Sequence, residues 1–83
     1  MLFMTTCLIF GGNGFIGSHL AEGLVREDFN VKIFDAFKGG EKNLSSIRDT
    51  IELVQGDFLS ERDIVGALKD VDYVFHSHKS KNQ

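Results

Sequence analysis

The chain has 83 residues, fewer than the roughly 100 to 150 of a usual single domain, so it forms one domain at most and buries a smaller share of its surface than a full-sized one. Hydrophobic content of 42% and charged content of 25% are ordinary for a soluble globular protein and give no sign of disorder. A net charge of -3 argues against a nucleic-acid footprint, and the only basic cluster, Lys79 and Lys81 at the tail, reads as a solvated terminus.

The stretch Met1-Leu2-Phe3-Met4 is apolar but lacks the basic start of a signal peptide, and no apolar run approaches the roughly 18 residues of a membrane span. A first strand is predicted over Thr5 to Phe10. Within it Cys7 is the single cysteine, so an intrachain disulfide is impossible; we read it as a small buried hydrophobe in a reducing, cytoplasmic compartment.

Residues 11 to 17 then read Gly-Gly-Asn-Gly-Phe-Ile-Gly, directly before the helical pattern of Ser18 to Arg26. A strand, a glycine-rich turn and a helix start in that order are the context a dinucleotide-binding turn requires. Gly11 suits the tight turn, Gly14 lets the main chain approach a pyrophosphate without a Cβ in the way, and Gly17 lets the first helical turn press on the strand. The N–H groups around Phe15 and Ile16, with the helix dipole, would face the phosphates. In the helix Ile16, Leu20 and Leu24 form an apolar stripe expected on the sheet, beside the small pair Gly17 and Ala21, while Glu22 and Arg26 face away. Gly23 weakens this helix by roughly 1 kcal/mol relative to alanine and reads as a close-packing position. His19 reads as a solvated histidine, with phosphate ligation the less favoured alternative.

Val31 to Asp35 is the second strand, ending on a carboxylate 18 positions after Gly17, where the dinucleotide fold places the acceptor for the adenosine ribose. Such a carboxylate repels a 2′-phosphate, favouring NAD over NADP, with Lys38 as the dissenting cation; a strand-end turn former is the other reading of Asp35. After the breaker Gly39-Gly40, Asn43 can cap a short helix in which Leu44 and Ile47 share a face. Ile51 to Gln55 makes strand three. Ser60 and Asp63 resemble a capping box opening a helix with Ile64, Ala67 and Leu68 on one side, and Val71 to His76 is strand four. His76 and His78 would share one face of an extended strand, but with no third ligand evident no metal is assigned. Right-handed crossovers between parallel neighbours give an α/β fold, a truncated Rossmann-like doubly wound sheet of about four strands in order 3-2-1-4 over residues 1–83.

The Gly-x-x-Gly-x-x-Gly spacing resembles the extended short-chain dehydrogenase/reductase family, in particular NAD-dependent nucleotide-sugar epimerases and dehydratases, whose turn commonly reads Thr-Gly-Gly-x-Gly-Phe-Ile-Gly-Ser. Asp35-Ala36-Phe37, Glu41-Lys42-Asn43-Leu44, Gly56-Asp57-Phe58 and Asp72 to His76 extend the likeness from about Cys7 to His76. Phe10 stands where the family has threonine, and Ala36 where it often has asparagine. The resemblance implies that Asp57 accepts from the adenine amino group and that Phe58 contacts the base; a turn aspartate beside a core phenylalanine is the alternative. It also implies a catalytic Ser or Thr with a Tyr-x-x-x-Lys pair beyond strand four. Here the only tyrosine, Tyr73, is followed four residues later by Ser77, so no catalytic residue is nominated.

The expected protein is therefore a module that binds the adenosine-diphosphate half of NAD through Gly11, Gly14, Phe15, Ile16, Gly17, Asp35, Asp57 and Phe58. Part of a split enzyme completed by another chain, or a remnant that self-associates without ligand, are the alternatives. Strand four is expected to present an undefended edge, without proline or lysine, through which Val71 to His76 would pair antiparallel in a homodimer.

Overall fold

The computed structural model describes residues 4–37, 40 and 42–77. Lys38, Gly39, His78, Lys79 and Lys81 lie outside them, and with them the cation near the ribose, half of the breaker, the histidine pair and the basic tail.

Four parallel strands, β1 (Thr6–Phe10), β2 (Asn30–Asp35), β3 (Ile51–Gln55) and β4 (Tyr73–His76), are ordered β3-β2-β1-β4, as the sequence predicts. The two central strands carry near-continuous apolar runs because both of their faces are covered. Ile9, Val31 and Ile33 point to one face and meet Ala21 of α1 (Phe15–Arg26) and Leu44 of a 3-10 segment, Lys42–Thr50. Leu8, Phe10 and Phe34 point to the other and meet Ala67 of α2 (Glu61–Ala67). Leu8, Ile9, Ile33 and Phe34 are wholly buried, each worth about 1.5–3 kcal/mol of hydrophobic stabilisation.

Several local expectations are corrected. The residues of α1 buried on the sheet are Gly17, Ser18 and Ala21, with Leu20 and Leu24 packed beside them, whereas Ile16 is 74% exposed. Small residues bring the helix start so close to β1 that Ile16 is turned outward. Gly23 is not a close-packing position, since a Cβ there would meet only an Arg26 guanidinium nitrogen at 4.0 Å. Glu22 does not simply face away; it accepts a hydrogen bond from Ser46 Oγ at 2.9 Å and ties α1 to the 3-10 segment. Leu44 and Ile47 share a packed face, but Asn43 lies inside the segment rather than capping it. Ser60 caps α2 by accepting from Asp63 N–H at 3.2 Å, while the Asp63 carboxylate accepts from Asp57 N–H instead of closing the box on Ser60. Leu68 ends α2 and leaves its apolar side, 40% exposed. Val71 precedes β4 and packs under α2.

Cys7 is 1% exposed, and burial, with Asp72 adding to it, raises its thiol above the ordinary 9.0. The thiol is therefore expected to react with an aromatic disulfide reagent at pH 8 only as fast as the chain unfolds, a rate that urea should raise in step with loss of circular dichroism. Since the unfolded chain releases this proton first, Cys7 contributes stability below about pH 9 that is lost as pH rises further.

Candidate functional site

The carboxyl ends of β1, β2 and β3 and the start of α1 surround one cleft of about 1140 Å³. In a doubly wound sheet this is the crevice at the switch point, where β1 is flanked by strands whose connections run in opposite directions. The nominated residues Gly11, Gly14, Phe15, Ile16, Gly17, Asp35, Asp57 and Phe58 all line it.

Backbone geometry explains the glycines. Gly11 has φ 79°, a left-handed conformation that lets the chain leave β1 while its N–H bonds Phe34 O at 2.8 Å. At Gly17 a Cβ would lie 2.7 Å from Gly11 O and from Gly12 Cα, so the first helical turn rests directly on the glycine turn. Gly14 differs: a Cβ there would meet nothing closer than Gly11 O at 3.6 Å. Internal packing does not require that glycine, whereas close approach of a ligand to the main chain would. Gly14 is the N-cap and has no side chain to satisfy the first N–H groups of α1, and no acidic residue occupies the first turn. Those donors and the helix dipole favour an anion, and among the described residues the lining includes no lysine or arginine that could do so in their place.

Two carboxylates stand on the other side. Asp35 Oδ1 accepts from Phe37 N–H at 3.0 Å and Oδ2 from Asn13 N–H at 3.2 Å. Asp57 Oδ1 accepts from Leu59 N–H at 2.8 Å. Both therefore form turns, the plainer of their two readings, and both line the cleft, where carboxylate oxygens keep lone pairs for further donors. Phe58 lies edge-on to Phe34 at 5.2 Å and 6.4 Å from Phe10, so it joins the aromatic core while presenting a surface to the cleft. Phe10 fits because it packs edge-on against Phe34 at 5.3 Å on the α2 side, away from the glycine turn. His19 does not line the cleft; it stands over the Phe15 ring at 4.6 Å and 3.6 Å from Glu22. Among the described residues no group of three His, Cys, Asp or Glu could hold a metal.

Sequence reasoning missed Asn13, Gln55 and Ser77, which also line the cleft. Ser77 Oγ donates to Gly11 O at 2.9 Å and to Phe10 O at 3.1 Å, fastening the end of β4 to the glycine turn. Parallel strands predict that strand ends gather here, which is the signal that could have found Gln55 and Ser77.

An open parallel sheet with a glycine turn, a free helix start and strand-end carboxylates around one crevice is a Rossmann-type nucleotide-binding fold. The sequence profile of the 3-beta hydroxysteroid dehydrogenase/isomerase family matches residues 8–82, and the chain belongs to that family. It is 33% identical over 70 residues to a sterol-4-alpha-carboxylate 3-dehydrogenase, decarboxylating, of Mus musculus, covering 84% of this chain and 18% of that protein. It is 41% identical over 71 residues to a UDP-N-acetyl-alpha-D-glucosaminuronate decarboxylase of Bacillus cytotoxicus, covering 84% of this chain and 22% of that one. The fold superposes on dTDP-glucose 4,6-dehydratase of Bacillus anthracis, solved in complex with NAD, with a TM-score of 0.81 at 24% identity, over 94% of this chain and 28% of the other. The chain thus spans about a fifth of the length of these curated relatives, and the region it resembles is the N-terminal nucleotide-binding part of NAD-dependent epimerases and dehydratases.

Proposed function

We propose that the cleft binds the adenosine-diphosphate half of NAD. The convergence of the α1 N-terminus, Asp35 and Asp57 on one crevice carries this reading. The pyrophosphate would lie on the N–H groups after Gly14, the ribose diol would donate to Asp35, and the adenine would lie by Asp57 and Phe58. Bound NAD supplies a hydride acceptor. These 83 residues include no Tyr-x-x-x-Lys sequence that could move a proton beside it, and the role proposed for them is binding. We favour NAD over NADP because Asp35 would repel a 2′-phosphate.

Asp35→Ala is expected to weaken ADP-ribose by at least about tenfold in calorimetry, the loss of charge-assisted bonds to the diol. Unchanged affinity, or a wild-type preference for NADP over NAD, contradicts the assignment.

For the same polypeptide we also propose self-association through β4. Tyr73 is 60% and Val74 49% exposed, so apolar residues stand uncovered on both faces of a strand whose outer edge pairs with no strand among the described residues. Antiparallel pairing with a second copy would cover them. Light scattering at micromolar concentration should give a dimer that Val74→Lys dissociates; a monomeric wild type or a dimeric variant rejects the pairing.

A further inference from the structure

Asn13 stands in the glycine turn between Gly12 and Gly14, and it bonds to three separate segments. Its N–H donates to Asp35 Oδ2 at 3.2 Å, its Nδ2 donates to Gly40 O, and its carbonyl accepts from Asn43 Nδ2 at 2.9 Å. Its Oδ1 is the one buried side-chain polar atom without a partner among the described residues. A buried acceptor left unpaired costs free energy, so the side chain is held there by what its other groups bind.

The other oxygen of Asp35 continues the network. It accepts from Phe37 N–H at 3.0 Å, and Phe37 O accepts from Gly40 N–H at 3.1 Å. Glycine turn, Asp35, Phe37 and Gly40 therefore form a closed ring of hydrogen bonds that Asn13 completes, with Asn43 as a strap across it. Phe37 has φ 54°, an unfavourable left-handed conformation for a bulky residue that the ring keeps in place. Both Asp35 oxygens are thus tied to main-chain donors whose positions depend on Asn13.

We infer that Asn13 is a positioning residue that immobilises Asp35 and so lets the cleft distinguish an adenosine 2′-hydroxyl from a 2′-phosphate. The inference rests on the nucleotide reading above. A carboxylate free to swing would retreat from a 2′-phosphate and tolerate it; one held by two N–H groups meets the added charge at contact distance. The Asn13 side chain need not touch the ribose, because it acts through the peptide that donates to Asp35.

The test is calorimetry with ADP-ribose and with 2′-phospho-ADP-ribose on the wild type, Asn13→Ala and Asn43→Ala, alongside thermal unfolding. The wild type should prefer ADP-ribose by at least about tenfold, and each variant should lose about fivefold of that ratio, the worth of one hydrogen bond. A merely structural role would weaken both ligands alike; an unchanged ratio in the folded variants therefore overturns the inference. If Asn13→Ala does not fold, Asn43→Ala, whose side chain is exposed, carries the comparison. Absence of heat with ADP-ribose on the wild type overturns the nucleotide reading itself, and the inference with it.

Discussion

Gly17→Ala is expected to cost about 1–3 kcal/mol of stability and to weaken ADP-ribose by at least about tenfold, the largest binding loss we anticipate from one added methyl group. The new Cβ would lie 2.6 Å from Ser77 Oγ and 2.7 Å from Gly11 O and Gly12 Cα. Ser77 could rotate away, but the two backbone atoms cannot, so the first turn of α1 must lift off the glycine turn. That displacement moves the N–H groups that would hold the pyrophosphate. Gly23→Ala, six residues further along the same helix, is the control. Its Cβ has room, and alanine there should raise stability by about 0.5–1 kcal/mol without changing affinity. Urea melts and calorimetry on the two variants check both halves of the contrast.

Phe34→Ala should be the most destabilising single change, at about 3–5 kcal/mol. Phe34 is wholly buried on the α2 side of the sheet, with the Phe10 and Phe58 rings edge-on to it and Gly56 pressed against its ring edge, where a Cβ would lie 2.5 Å away. At about 0.05–0.15 kcal/mol per residue a chain of this size has about 4–12 kcal/mol in total, so the variant should lose about a quarter of that stability or more. The midpoint of a urea transition followed by circular dichroism measures this, and a shift worth less than about 1 kcal/mol would contradict the packing described.

The sheet was legible in the sequence because each strand is a short apolar run bounded by a turn signal, and crossovers of this length leave few other orders. β3 has the predicted bounds, and the glycine turn and its strand-end carboxylates meet in one cleft as spacing and resemblance imply. What was not legible depends on partners distant in sequence. Ile16 fits a helical stripe by period, yet the close approach that Gly17 permits turns it outward. Asn43 has the chemistry of a cap, whose Oδ1 would accept from the first helical N–H groups, but it lies inside the segment and its Nδ2 donates to Asn13 O, 30 residues away. Asp63 has the spacing of a capping box, but its carboxylate reaches Asp57 N–H, because the turn before α2 brings that donor over the helix start. Asn13 sits between glycines that draw attention to themselves, and no periodicity marks a residue whose side chain bonds Gly40 O and whose main-chain N–H bonds Asp35.

Amide chemical shifts in a titration of the isotopically labelled chain with ADP-ribose test the central claim most directly. The account predicts the largest shifts at Gly14, Phe15, Ile16 and Gly17, with further shifts at Ala36, Asp57 and Phe58 and little change along β4 before Ser77. Absence of shifts, or shifts confined to residues outside the cleft, would contradict it.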